Sequence, residues 1–260
     1  MTPTWNIAPN APAVWSSPMP DSMKVSGVVL VVGNGGVGKS SLALTMQQDA
    51  LPPHWADRLA GIRKTKNLEF EFLSDTVAVN DHLYTVVHRY LVPPGQREQE
   101  AGVAGRTFED VIDIYRFQLG RVDVVLLSYA IHQLETFGDI ENWVRLLDGL
   151  CNDETRFVLV GTHLDLRENR EVGATTLGLG AEHVRRLIRT LRPTWRGDCT
   201  GIEVSNHSGE NIPALRHLIS QAILRARGIG PESGPRDRGA GHEPASPSCS
   251  SPPFVTGNTW

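Results

Sequence analysis

The stretch Val28-Val-Leu-Val-Val-Gly-Asn-Gly-Gly-Val-Gly-Lys-Ser-Ser41 constrains this chain more than any other. The five apolar residues Val28–Val32 read as a strand buried on both faces, as in the middle of a parallel sheet. A glycine-rich turn follows, and Ser40–Met46 then has the apolar spacing of a helix. The pattern G-x-x-x-x-G-K-[ST] is complete at Gly33, Gly38, Lys39 and Ser40. Asn34, Gly35, Gly36 and Val37 fill the turn, and Ser41 follows it. Such a turn points successive backbone N–H groups at phosphate oxygens, and it needs residues without a Cβ where the chain curls tightly. Lys39 is placed to reach the β- and γ-phosphates, and the Ser40 hydroxyl to ligate Mg²⁺. The helix adds its positive N-terminal end. The stretch reads as a nucleoside triphosphate site.

The 260 residues, 40% hydrophobic and 21% charged, suffice for one ordinary to large domain, or one domain with tails. A net charge of −4 gives no electrostatic case for nucleic acid. Cys151, Cys199 and Cys249 lie far apart, which fits a reducing cytoplasm better than a disulfide framework or a zinc site. Apolar runs fall short of the ~18 residues of a membrane span. Neither a secretory signal nor a myristoylation or prenylation motif is read at the ends. A cytoplasmic protein without a lipid anchor is therefore expected.

Eleven of the 17 prolines fall in the first 24 and last ~30 residues, amid Gly and Ser. That composition predicts disordered tails over 1–24 and 229–260, around a folded domain over 25–228. Trp5, Trp15 and Trp260 lie in these tails, either as chance residues or as short docking motifs. Inside the domain, residues 49–67 show no clean period, and Pro52-Pro53 interrupts them. Strands are expected at 68–79 and 83–91, joined by the turn Asn80-Asp81, with further strands at 122–130, 157–160 and 202–204. Helices are expected at 108–119, 137–150, 181–191 and 212–227. This alternation with one hairpin predicts an α/β fold: a mostly parallel six-stranded sheet with helices on both faces. Ligand belongs at the carboxyl ends of its strands, where the loops at 33–40, 92–97, 161–165 and 205–207 all fall.

Those loops resemble the motifs of Ras-like small GTPases, in order and at about the family's spacings. The resemblance begins at Gly33–Ser40 and continues through Pro94-Gly-Gln-Arg-Glu98 and the strand Val122–Tyr129. It then takes in Leu159-Val-Gly-Thr-His-Leu-Asp-Leu-Arg167 and Glu203-Val-Ser-Asn-His-Ser-Gly-Glu-Asn-Ile212. Thr162-His-Leu-Asp165 looks like the form in Roc domains of Roco proteins, Leu-Asp-Leu-Arg is similar to Rho, and Thr65–Phe70 resembles a Rab form; no subfamily is assigned. The resemblance implies a G domain that binds GTP or GDP with Mg²⁺ and answers to effector and regulatory proteins.

Thr162, His163 and Asp165 stand where that family reads its base. Guanine offers two donors, N1–H and the 2-amino group, and one carboxylate accepts both as a charge-assisted pair. Adenine offers no such pair. Asp165 therefore reads guanine, or it caps a turn at a strand end. His163 replaces a lysine and would cover the base by stacking. Ser205, Asn206 and His207 replace Ser-Ala-Lys, whose main-chain N–H approaches guanine O6; as a bare tripeptide they are an ordinary loop.

On the catalytic side the resemblance places Gly95 N–H on the γ-phosphate and Gln96 on the attacking water. Gln96 as a surface polar side chain is the other reading, because Val92 occupies the position of the family's aspartate. Thr65 is nominated as a second Mg²⁺ ligand, against the reading of an ordinary loop threonine. Three function classes remain: a switch with slow GTP hydrolysis, a degenerate guanine-nucleotide scaffold with little turnover, and a phosphotransferase. Asp165 argues against the last.

Overall fold

The computed structural model describes residues 22–62, 69–94, 108, 110–112 and 122–230. The tails expected to be disordered lie almost wholly outside these residues, as do Thr65, Gly95, Gln96 and most of the helix expected at 108–119. Phe108 and Asp110–Ile112 are helical.

Six strands form one sheet in the order β2-β3-β1-β4-β5-β6. They are β1 Met23–Val32, β2 Glu69–Val79, β3 His82–Val92, β4 Val124–Ala130, β5 Arg156–Thr162 and β6 Cys199–Glu203. β2 and β3 pair antiparallel, while β1–β3, β1–β4, β4–β5 and β5–β6 are parallel. The expected mostly parallel six-stranded sheet is therefore present. β1 starts at Met23, two residues before the expected domain boundary, because Met23 and Lys24 pair with Tyr84 and Thr85 of β3. A truncation that spares the fold must keep them. Asn80 and Asp81 both have positive φ, 47° and 63°, as the tight hairpin turn between β2 and β3 requires.

Successive β1 side chains point to opposite faces, and each face has its own core. Val28, Leu30 and Val32 pack with Val125, Leu127, Phe157 and Leu159. Two helices cover that face, α4 (Ile140–Leu146) and α5 (Thr176–Leu191). Val29 and Val31 pack on the other face with Val124, Leu126, Val158 and Val160, beneath α1 (Lys39–Met46) and α6 (Ile212–Ala226). Each such aliphatic side chain stabilises by about 1.5–3 kcal/mol on burial. Two further short helices, α2 (Trp55–Ala60) and α3 (Leu134–Gly138), are described, as is a 3₁₀ helix at Leu164–Asn169 that carries Asp165. Among the described residues no helix is long and apolar enough to cross a membrane.

One polar network runs through the second core. His88, fully buried in β3, meets the Tyr90 hydroxyl at 2.9 Å through Nδ1 and the Ser220 hydroxyl at 2.8 Å through Nε2. Ser220 donates to Asp75 Oδ2 at 3.2 Å, and Arg216 of α6 donates to Asp75 Oδ1 at 2.5 Å. A neutral imidazole satisfies this chain with one order of protons: Tyr90 O–H to Nδ1, Nε2–H to Ser220, Ser220 O–H to Asp75. The hairpin β2–β3 is thereby tied to α6.

Burial pushes the His88 imidazole down to about 4; the Asp75 carboxylate opposes that shift and the Arg216 guanidinium adds to it. An unfolded chain takes up this proton below about pH 6.5, whereas the folded protein refuses it until near pH 4. The unfolded state thus binds more protons inside that window, so stability is intact above it and falls as the pH is lowered through it. The loss should be on the order of 3 kcal/mol. Denaturant titrations from pH 7 to pH 4 should show it, and His88→Gln should flatten that part of the profile. Parallel profiles for the two proteins would show that His88 does not set it.

Candidate functional site

The carboxyl ends of β1, β5 and β6 meet at one edge, and the loops that leave them are fastened to one another. Gly33 closes β1 with φ 143°, and a Cβ there would stand 2.1 Å from the Ser128 carbonyl oxygen of β4. Only glycine allows the loop to turn so close to the neighbouring strand. Gly36 and Gly38 follow at φ 87° and 85°. The chain then enters α1, whose first main-chain bond runs from Leu42 N–H to the Gly38 carbonyl at 2.8 Å. Lys39, 6% exposed, folds back across the turn and donates to the carbonyls of Gly33 (2.8 Å) and Asn34 (2.9 Å). A buried ammonium needs such partners, and these hold it over the concave side of the loop.

Asn34 is placed differently from the expected nucleotide contact. Its side chain turns onto α4, donating to Asp139 Oδ2 at 2.6 Å and accepting from the Trp143 indole N–H at 2.7 Å. Ser40 and Ser41 lie in the first turn of α1, with the Ser40 side chain half-buried at its N-terminal end.

Thr162, fully buried at the end of β5, fastens the second loop to the first. Its hydroxyl lies 2.8 Å from the Val37 carbonyl and 2.9 Å from the Tyr129 carbonyl, with His163 Nδ1 at 2.9 Å. The hydroxyl proton goes to the carbonyls, so Nδ1–H must be the donor in the third contact, leaving Nε2 as an acceptor. His163 is left-handed at φ 62°, and its ring stands edge-on to His132 with centroids 4.7 Å apart. Burial first, and His132 second, hold its pKa below the usual histidine range, with Asp165 opposing. A neutral ring therefore stands where the resembled family has an ammonium. His163 Cε1 lies 3.5 Å from where a Gly38 Cβ would be, so the ring abuts the phosphate loop.

Asp165 is exposed, and its Oδ1 accepts from the buried Ser205 hydroxyl at 2.5 Å. The same hydroxyl oxygen accepts from the N–H groups of His207 (3.2 Å) and Ser208 (3.0 Å). One serine thus shapes the loop after β6 and holds the carboxylate. Asn206 reaches the other way, donating from Nδ2 to the Gly38 carbonyl at 3.1 Å. The His207 side chain is exposed. The structure accordingly brings Gly33–Ser41, Thr162, His163, Asp165, Ser205 and Asn206 together. Thr65, Gly95 and Gln96 lie outside the described residues.

Val92, at the end of β3, is fully buried in the apolar layer that contains Leu42 and Met46. It supplies no oxygen to a cation. For Mg²⁺ the described residues offer the Ser40 hydroxyl at the start of α1, which fits an ion that takes most of its shell from phosphate and water. The carboxylate that would order those waters from β3 is absent.

Trp55 and His132 were not legible as site residues. Trp55, on the six-residue α2, is buried and donates its indole N–H to the Asn206 carbonyl at 2.8 Å, walling the loop after β6. Its residue type was the only available signal, since residues 49–67 lack a period. His132 follows β4, and only the three-dimensional fold places its ring against His163.

The glycine at 33 has a measurable consequence. Gly33→Ala drives a Cβ into the Ser128 carbonyl and forces an alanine to positive φ, and should cost on the order of 3 kcal/mol. Gly35→Ala meets nothing within 4 Å and should leave the melting temperature nearly unchanged. Equal melting temperatures for the two variants would contradict this placement of the loop.

Comparisons with known proteins agree with this architecture. A model of the Ras family matches residues 104–186. The Ras-related protein Rab-18-B of Danio rerio is 29% identical over 156 residues, 59% of this chain and 64% of that protein. RabJ of Dictyostelium discoideum is 24% identical over 168 residues, 65% of this chain and 57% of that protein. Rab-12 of Homo sapiens is 28% identical over 159 residues, 60% of this chain and 53% of that protein. The chain spans less than two thirds of the length of these relatives. The family match covers β4 to the middle of α5 and leaves out residues 33–40, so it and the phosphate-loop motif are observations on different parts of the chain. The chain has the α/β phosphate-loop GTPase fold and is similar, over that central stretch, to the Ras family.

Proposed function

We propose that this chain binds GTP or GDP and acts as a switch that hydrolyses GTP slowly. The observation that carries the reading is the Thr162 contact with the Val37 carbonyl. It fastens a loop bearing an exposed carboxylate to a loop built to hold phosphate. Guanine N1–H and its 2-amino group would meet Asp165, whose orientation Ser205 sets. The diphosphate would lie along Gly35–Gly38, with Lys39 keeping its two carbonyls and directing its remaining N–H toward the β- and γ-phosphates. Ser40, with Thr65, would hold Mg²⁺, whose role is to neutralise charge on the phosphates. The neutral His163 ring would support the base and ribose by its face. In hydrolysis, water attacks the γ-phosphorus, the bond to the β–γ bridging oxygen breaks, and GDP leaves. Gly95 N–H and Gln96 are the groups proposed to hold the γ-phosphate and the water.

A second reading, a guanine-nucleotide scaffold with little turnover, is favoured by the buried Val92. Under either reading the partners are effector and regulatory proteins, with a cytoplasmic location.

Two experiments test these readings, the first the base and the second the turnover. Asp165→Asn should weaken GDP by about 2–3 kcal/mol and favour xanthosine diphosphate, whose C2 oxygen suits an amide donor. Equal binding of ATP and GTP by the parent protein would sink the guanine assignment. Val92→Asp should tighten Mg²⁺-dependent GTP binding by roughly 10–100-fold, as regaining an outer-shell partner implies, provided the new carboxylate faces the site rather than the apolar layer. If the switch reading holds, single-turnover hydrolysis should rise with it, and adding Gln96→Leu should abolish the gain. Hydrolysis no faster than that of GTP free in buffer, in parent and Val92→Asp alike, selects the scaffold.

A further inference from the structure

The Asn34 amide uses both of its ends. Nδ2 donates to Asp139 Oδ2 at 2.6 Å, and Oδ1 accepts from Trp143 Nε1 at 2.7 Å. A flipped amide would set its NH₂ against the indole N–H and its oxygen against the carboxylate, so one orientation alone is favourable. The main-chain carbonyl of the same residue accepts from Lys39 Nζ at 2.9 Å, beside the Gly33 carbonyl at 2.8 Å. The supports are themselves fixed. Trp143 is fully buried and stands edge-on to Phe108 with centroids 5.0 Å apart. Asp139 joins α3 to α4, donating its N–H to the Glu135 carbonyl and accepting the Trp143 N–H, both at 3.1 Å.

We propose that Trp143 and Asp139 are positioning residues of the phosphate loop, acting through Asn34 on Lys39. The amide is held from α4, the peptide that carries it cannot rotate, and its carbonyl therefore keeps the buried ammonium aimed across the loop. This rests on reading residues 33–40 as a phosphate cradle, but not on the identity of the base.

An exchange of the two partners tests it. Asn34→Asp sets two carboxylates against each other where a 2.6 Å hydrogen bond stood. The double variant N34D/D139N restores the bond with donor and acceptor exchanged, and still offers the Trp143 N–H an oxygen. Affinities are read with GDP and with inorganic pyrophosphate, well below the melting temperature of each variant. N34D should weaken both probes by about tenfold or more, the loss expected for a charge-assisted hydrogen bond. N34D/D139N should return to within about threefold of the parent, as should D139N alone, since an amide there still accepts from Asn34. Trp143→Phe, which keeps the ring and loses the N–H, should weaken both probes by roughly threefold to tenfold.

A purely structural brace would lower melting temperatures while leaving pyrophosphate affinity unchanged, and that result overturns the proposal. So does a double variant as weak as N34D. If added negative charge alone weakened N34D, D139N by itself would tighten binding by the same factor, which also overturns it. A parent that binds pyrophosphate but does not prefer GDP to ADP refutes the guanine reading, and the pyrophosphate series then decides the brace. A parent that binds neither probe refutes both.

Discussion

Gly33 meets the backbone of β4 at a distance no side chain can share, with the Ser128 carbonyl 2.1 Å from the position of a Cβ. The rest of the site depends on that approach. It brings the first loop down onto the strand edge, where Thr162 can touch both the Val37 carbonyl of the loop and the Tyr129 carbonyl of β4. Were the loop to stand off by the width of a methyl group, Thr162 would lose its reach to Val37, and the two loops would no longer share a wall. Sheet geometry and loop chemistry are therefore one constraint here. The parallel order β3-β1-β4 sets β1 beside β4, and the missing side chain lets the turn exploit that adjacency.

The site's charges are arranged unequally. Lys39 is buried and held by carbonyls, whereas Asp165 is exposed and steadied by a hydroxyl. Between them stands a histidine whose charged form burial disfavours. The cationic end thus has its desolvation already met within the fold, which suits it to a multiply charged anion. The acidic end remains solvated. The apolar Val92, at the end of β3, contributes no field, so the loop backbone, Lys39 and the N-terminal end of α1 are the described sources of positive potential there.

The glycine and lysine spacing at 33–40 was legible because a turn that needs positive φ at Gly33, Gly36 and Gly38 tolerates few other sequences. The alternation of the strands was legible because each is buried on two faces. Other features are tertiary, and no local pattern carries them. The six-residue α2 begins after a left-handed His54 and has a single buried side chain, Trp55, too little to leave a period. Asn34 was read as a cradle residue from its place in the motif; its amide is claimed by residues more than 100 positions away. The onset of β1 at Met23 was missed because its first residues are polar or half-exposed and are recruited by β3 rather than by a hydrophobic run.

The polar network at His88 bears on how this fold can move. β2 and β3 connect the two stretches where switch behaviour is proposed, around Thr65 and around Gln96. A hairpin with eleven-residue strands could move along β1 only as a unit. A slip of two residues, the least that keeps each side chain on its own face, would carry His88 about 6.6 Å along the strand. Ser220 and Arg216 are anchored on α6, so the slip would part His88 from Ser220 and Asp75 from Arg216 and Ser220, leaving an imidazole and a carboxylate of the hairpin without those partners. The hairpin is therefore pinned as a rigid strut. Under the proposed switch reading, a change at one end of the hairpin would therefore reach the other through the bound nucleotide rather than along the strands.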